Sequence, residues 1–242
     1  MDIQRYRGNV VGKTALTHDI VHLRIEMERH SPFSYRAGQF IRLEAQVLPE
    51  PAAPVLRNYS LASAPVDPQH IELIIRKVPG GLCSTWIHDV LSIGDPIAFQ
   101  GPMGLFHLSG SQRPIIGIAG GSGISALRSL FQEMLRTFLQ RPTHFFFGAR
   151  TRQDLYLLDE WAAFREKASW FTFIPVLSDE PQDSGWTGER GLVTDAVIRH
   201  LSRLAEHESY LCGSPGMIDA AIAVLTKHGV LPQHIFFDKF TV

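Results

Sequence analysis

A change of pattern near residue 110 limits the possible folds of this chain more than any other feature. Upstream, apolar residues recur at every second position in short runs, the period of a strand with one buried face. Val21, Leu23, Ile25 and Met27 share one face in the second half of the stretch 10–27, and Ile41, Leu43, Ala45 and Val47 do so in residues 39–48. Pro49-Glu50-Pro51-Ala52-Ala53-Pro54 ends that run as a loop, and Pro65-Val66-Asp67-Pro68 reads as a turn. Further strands fall at 70–78 and 95–100. Many short strands with regular turn signals predict an antiparallel barrel or sandwich. Downstream, strands at 115–119, 144–147, 170–177, 209–212 and 235–237 alternate with helices near 124–139, 154–168, 193–204 and 217–227. That alternation predicts a doubly wound parallel sheet. Two domains are therefore expected, 1–110 and 111–242, with 109–114 as the linker. There is no internal repeat.

Within the first half, Val55-Leu56-Arg57-Asn58-Tyr59-Ser60-Leu61-Ala62 reads as a strand. Arg57 and Tyr59 lie two apart, so their side chains leave the same face. A guanidinium clamps phosphate through parallel donors, a phenol ring offers a stacking surface, and Ser60 adds a small hydroxyl. Together they would suit a flavin nucleotide. Taken alone, the four residues fit an exposed strand with a half-buried Tyr better. A helix over 82–91 follows Pro79-Gly80-Gly81. Glycines before a helix let backbone N–H groups approach an anion, with Ser84 and Thr85 as added donors, although Gly-Gly alone is more often a plain turn.

In the second half, Ile115–Ala119 is followed by Gly121-x-Gly123-x-x-Ala126 at the start of a helix, the dinucleotide fingerprint in its expected context. No acidic residue stands about 20 residues further on, where the usual ribose partner falls. The nearest candidate is Asp179, so the sugar is not read in the standard Rossmann way.

Composition removes other classes. The net charge is −1, which suggests neither nucleic acid nor an anionic membrane as partner. No apolar run reaches the roughly 18 residues of a membrane span. The start of the chain lacks the apolar core of a signal peptide, so a cytoplasmic location is expected. The two cysteines, Cys83 and Cys212, cannot supply a four-thiolate iron–sulfur cluster. If this is a redox protein, its one-electron partner is on another chain. The 11 histidines show no metal-ligand spacing, and no metal site is expected.

Four ordered motifs resemble the ferredoxin–NAD(P)H reductase superfamily of flavoproteins. Arg57-x-Tyr59-Ser60 matches its flavin signature, and Gly81-Leu82-Cys83-Ser84-Thr85-Trp86-Ile87 its pyrophosphate-binding helix start. Ala119-Gly120-Gly121-Ser122-Gly123-Ile124-Ser125 is similar to its nicotinamide-domain glycine loop, and Tyr210-Leu211-Cys212-Gly213-Ser214-Pro215-Gly216-Met217 to its late Cys-Gly motif. Three segments bring it nearest to reductase components of phenol and other aromatic hydroxylases. They are Leu177-Ser178-Asp179-Glu180-Pro181, Ser184-Gly185-Trp186-Thr187-Gly188-Glu189-Arg190-Gly191 and Phe236-Phe237-Asp238-Lys239-Phe240. Ser214 and Gly216 replace the usual prolines, which loosens that loop. The iron–sulfur domain common in those reductases is not found in this sequence.

The resemblance implies a six-stranded antiparallel FAD barrel followed by a nicotinamide domain. Arg57 would hold the flavin pyrophosphate, Tyr59 would stack on the ring and Ser60 would hydrogen-bond N5. Ile74 and Arg76 would line the site, and Gly81, Cys83 and Ser84 would bind pyrophosphate. Gly120, Gly121, Ser122, Gly123, Ile124 and Ser125 would cradle the dinucleotide, with Gly213 and Met217 from the late motif. Cys212 would sit near nicotinamide C4 and Phe240 near the flavin. Cys83 is expected to matter for backbone and size rather than its thiol, while Cys212 could be a small buried residue, its motif favouring the functional role. Arg150 could contact a ribose or merely sit on a loop. Asp179 can accept ribose hydroxyls but repels a 2′-phosphate, which favours NADH over NADPH; FAD is favoured over FMN. The expected activity passes hydride from NADH to flavin, then single electrons to a separate iron–sulfur protein or oxygenase. The alternatives are a flavin reductase that releases reduced flavin, or a non-enzymatic electron-transfer or regulatory subunit.

Overall fold

The computed structural model describes residues 3–29, 31–47 and 53–240. The chain divides into two compact units. One holds the residues up to Leu108 together with Arg128–Glu133, and the other holds Ser109–Leu127 and the residues from Met134 on.

In the first unit the alternating runs form β1 (Gln4–Ala15), β2 (Ile20–Met27), β3 (Phe40–Ala45), β4 (Val55–Ser60), β5 (His70–Arg76) and β6 (Pro96–Met103). Their order is β4-β3-β6-β1-β2-β5, antiparallel throughout. Past the end of β4, Leu61 bridges Leu73 of β5, and the Ala62 amide donates to the Glu72 carbonyl at 2.8 Å. These contacts close the sheet into the expected barrel. Alternation fills it: Leu23, Ile25, Leu43, Ile71, Leu73, Ile75 and Phe99 are fully buried. Phe33 meets Tyr6 and Phe99 edge-on at 4.9 and 5.3 Å. Helix α1 (Leu82–Asp89) adds Cys83 and Ile87 to this core. Residues 49–52 of the proline-rich loop, and Leu48 at the expected end of β3, lie outside the described residues.

Arg128–Glu133 joins this unit through polar contacts to the segment just after β4. Arg128 Nη1 donates to the Ala62 carbonyl and to Glu72 Oε2, both at 2.7 Å. Ser129 Oγ donates to the Ser63 carbonyl, and Gln132 Oε1 accepts the Ala64 amide at 3.0 Å. Glu72 Oε2 also lies 3.2 Å from His22 Nε2. Burial alone would raise the Glu72 pKa, yet the His22 hydrogen bond and the Arg128 charge bring it down to about 2.

In the second unit, β7 (Ile115–Gly120), β8 (Thr143–Ala149), β9 (Phe171–Leu177), β10 (Glu189–Arg190), β11 (Glu208–Gly213) and β12 (Ile235–Lys239) pair in parallel. The order is β10-β9-β8-β7-β11-β12. The helices are α2 (Ile124–Arg136), α3 (Leu158–Lys167), α4 (Val193–His200) and α5 (Pro215–Lys227). Phe145, Phe146 and Phe147 are fully buried core, as their apolar run implies. Phe145 packs on Trp161 of α3 at 5.1 Å, while Phe146 joins the core formed with α4 and α5.

Several boundaries differ from the sequence reading, and α2 ends at Arg136 rather than 139. The helix expected from 154 begins at Leu158, because the Asp154 carboxylate accepts from the Thr151 amide and hydroxyl and closes a 3-10 turn over Arg152–Asp154. Leu157 then adopts φ 57° before the helix starts. Helix α4 stops at His200 rather than 204; Leu201 and Leu204 stay buried beyond its end, Leu204 in a separate 3-10 turn over Leu204–Glu206, so the apolar period outruns the helix. Strand β10 was not anticipated, since two residues carry no period. The stretch 109–114 reads as a linker but is bonded into this unit. Ser109 Oγ donates to both Glu208 carboxylate oxygens at 2.9 and 2.7 Å, and the buried Arg141 donates to Glu208 Oε2 at 2.7 Å. Among the described residues, no helix is long and apolar enough to cross a membrane.

Candidate functional site

The candidate residues gather into two cradles, one in each unit. In the barrel, β4 carries Arg57 and Tyr59 on one face by strand alternation. Tyr59 packs half-buried against the barrel core, and its hydroxyl donates to Cys83 Sγ at 3.4 Å. Burial, followed by the neighbouring thiol, pushes the phenol pKa up, so Tyr59 stays a neutral donor. Arg57 is exposed and donates only to the Leu56 carbonyl at 2.9 Å; no carboxylate among the described residues pairs with it. Ser60 is buried at the end of the strand.

On β5, Ile74 is buried on the face away from the barrel core, while Arg76 is exposed. Arg76 Nε binds Asp19 Oδ2 at 2.6 Å, so its guanidinium already has a partner. At the start of α1, no side chain caps the helix. The Ser84 hydroxyl accepts the Val78 amide at 3.0 Å and donates to the Gly81 carbonyl at 3.2 Å. It shapes the Pro79-Gly80-Gly81 turn, leaving the backbone N–H groups of the first turn to face a ligand. An exposed guanidinium, a flat ring and an uncapped helix start fit a dinucleotide flavin carrying a pyrophosphate.

The second cradle lies where the strand order reverses, between β7 and β11, the place where open α/β sheets bind ligands. Gly120 ends β7, Gly121 turns at φ 53°, and α2 begins at Ile124 with no acidic residue in its first turn. A Cβ on Gly123 would lie 2.2 Å from the Cys212 carbonyl oxygen, so the turn presses onto β11 as only glycine allows. Ser125 Oγ donates to the Ser122 carbonyl at 2.8 Å. Met217 Sδ sits against Gly120, and its methyl group against Gly213. The Phe240 amide donates to the Gly213 carbonyl at 2.9 Å. This bare glycine turn ahead of a 13-residue helix fits the phosphates of a nicotinamide dinucleotide. Cys212 is fully buried, and burial holds its thiol pKa well above the ordinary value, so it is a neutral thiol rather than a thiolate.

Arg150 and Asp179 meet at the ends of β8 and β9. Arg150 Nε binds Asp179 Oδ2 at 2.8 Å, with both side chains exposed. Two supporting residues were not apparent from the sequence. Tyr156 is buried and donates to the Gly121 carbonyl at 2.7 Å, holding the glycine turn from below. Arg190 donates to the carbonyls of Glu180, Pro181 and Trp186, fixing the loop after Asp179. Tyr156 belongs to no motif, and Arg190, although it lies in the segment 184–191, carries no local sign of these bonds, so only the folded chain reveals both roles. Among the described residues, no group of three or more His, Cys, Asp or Glu could hold a metal ion.

A closed antiparallel barrel with a flavin cradle, followed by a doubly wound sheet with a dinucleotide turn at its switch point, defines a flavin- and nicotinamide-dependent oxidoreductase. Comparison with known proteins agrees. Residues 7–108 match the oxidoreductase FAD-binding domain, and residues 118–222 the oxidoreductase NAD-binding domain. The reductase component of propane 2-monooxygenase from Gordonia sp. (strain TY-5) is 38% identical over 242 residues, covering 99% of this chain and 68% of that protein. The reductase component of phenol 2-monooxygenase from Pseudomonas sp. (strain CF600) is 35% identical over 240 residues, covering 98% and 66%. The crystal structure of an Amycolatopsis cytochrome P450 reductase superposes with a TM-score of 0.89 at 29% identity, covering 99% of this chain and 71% of that one. The chain belongs to the ferredoxin reductase-type flavoproteins and is an NAD(P)H-dependent flavin oxidoreductase that uses FAD. It spans about two thirds of the length of these relatives.

Proposed function

We propose that this chain takes hydride from NADH and delivers electrons one at a time to a separate protein, an iron–sulfur protein or an oxygenase component. The observation that carries the reading is the presence in one chain of both cradles: Arg57, Tyr59 and the α1 start in the barrel, and the Gly120–Gly123 turn in the sheet. The two relatives are named as reductase components of monooxygenases, which supports a protein acceptor. Residues 1–110 would form the flavin domain and 111–242 the nicotinamide domain, in keeping with the matched segments. A cytoplasmic location accords with this role.

FAD, when bound, supplies the change from two-electron to one-electron transfer. The chain supplies binding, orientation and hydrogen bonds. Arg57 and the backbone amides of Gly81, Cys83 and Ser84 hold the pyrophosphate. Tyr59 would stack on the flavin ring, Ile74 and Arg76 would line its surroundings, and the Ser60 hydroxyl would hydrogen-bond N5. Gly120, Gly121, Ser122, Gly123, Ile124 and Ser125 hold the nicotinamide dinucleotide, with Arg150 and Asp179 at its ribose. Gly213, Met217 and the neutral Cys212 would border the nicotinamide, and the family resemblance would give Phe240 a role toward the flavin.

The purified protein is expected to be yellow, with about one FAD per chain, and to bleach when NADH is added without oxygen. An added iron–sulfur protein should then restore the colour. A colourless preparation that takes up no FAD ends the proposal. NADPH matching or exceeding NADH in kcat/KM removes the NADH part.

A further inference from the structure

We infer that the Cys83 thiol is a positioning residue: it accepts the hydroxyl hydrogen of Tyr59 and so holds that ring in place for the flavin. This rests on the barrel being the FAD site. The hydroxyl lies 3.4 Å from Sγ. Tyr59 comes from β4 and Cys83 from the first turn of α1, so the bond ties the stacking strand to the pyrophosphate-binding helix start. Both partners are shielded, Tyr59 in part and Cys83 almost completely, with 2% exposure. A hydrogen bond sheltered from water competes less with solvent than an exposed one. Among the described residues the thiol is the only side-chain hydrogen-bond partner of the phenol.

The chemistry suits a pre-set ring. A phenol fixed before the ligand arrives loses less side-chain freedom on binding, which strengthens association without a new contact. Sulfur is a soft, weak acceptor, so the bond orients the ring without locking the hydroxyl. The contrasting view is that Cys83 is a small apolar residue filling the base of α1, where alanine would serve as well.

A double-mutant cycle separates the two, with FAD affinity read from the quenching of flavin fluorescence on binding. Cys83→Ala and Tyr59→Phe are each expected to weaken FAD binding about threefold to tenfold. The double variant should be no weaker than the worse single variant, because both remove the same bond. Cys83→Ser, which keeps an acceptor, should recover part of the loss. Wild-type affinity in Cys83→Ala, or losses that multiply in the double variant, would overturn the inference. If Cys83→Ala does not fold, Tyr59→Phe with wild-type affinity overturns it just as well. A wild-type protein that binds no FAD refutes the flavin reading instead. In that case the flavin-free protein still decides the contact: the Tyr59 ring signal in NMR, identified by its loss in Tyr59→Phe, should shift in Cys83→Ala, and an unmoved signal refutes the bond.

Discussion

Ser60 occupies a buried site at the end of β4, next to the strand position of Tyr59. A hydroxyl there that donates to the flavin, as proposed, would be the kind of group whose removal slows a step in which charge develops. Ser60→Ala should therefore lower the rate of flavin reduction by NADH by about one to two orders of magnitude while FAD remains bound. Stopped-flow absorbance measures this; an unchanged rate would remove Ser60 from the reaction. The proposed preference for NADH is tested at the same scale. Asp179 does not act alone, since the Arg150 guanidinium lies 2.8 Å away. If the ribose is read here, the carboxylate would oppose a 2′-phosphate and also occupy the Arg150 guanidinium. Asp179→Asn removes both obstacles, so the NADPH-to-NADH ratio of kcat/KM should rise about tenfold. A ratio that stays put would show that the ribose is read elsewhere.

Helices and strands owe part of their placement to buried charge rather than to pattern. Glu72 of β5 gathers Arg128 and His22, and its folded-state pKa of about 2 lies below the ordinary 4.5. A carboxyl depressed in this way stabilises the fold fully above pH ~4.5, and the contribution is lost as pH falls through ~2, amounting to about 3 kcal/mol. Glu72→Gln should thus lower the melting temperature at pH 7 and flatten the wild type's decline between pH 4.5 and 2. Equal pH profiles for the two proteins would contradict it. This network also shows where sequence reading stops. The alternating faces of β2, β3 and β5 and the glycine turn after β7 were legible, because periodicity and Gly121-x-Gly123 report local geometry. Arg128 bonding the Ala62 carbonyl was not, since it joins residues 66 apart with no motif between them. Tyr156 beneath Gly121, and Ser109 on the Glu208 carboxylate, escaped for the same reason. The start of α3 was misplaced because a side-chain turn at Thr151 and Asp154 competes with the helix.

For the molecule as a whole, each cofactor belongs to its own compact unit with its own hydrophobic core, so each should stabilise a different set of backbone amides. A ligand that binds only the folded state adds RT ln(1 + [L]/Kd), about 2.7 kcal/mol at 100 times Kd. Amides that exchange only by opening the bound site should then slow by about a hundredfold. Hydrogen exchange of the flavin-free protein with added FAD should protect β4 and the start of α1, Leu82–Ser84 in particular. NAD⁺ should protect Gly121–Ser125 and the Cys212–Gly213 end of β11. The pattern follows from where the uncapped start of α1 and the glycine turn before α2 lie, whose backbone N–H groups are able to meet phosphate oxygens. Protection by FAD confined to the second unit, or by NAD⁺ confined to the barrel, would reverse the assignment of the two cradles. Protection by neither would mean that the bare helix starts of α1 and α2 are turns of the chain and nothing more.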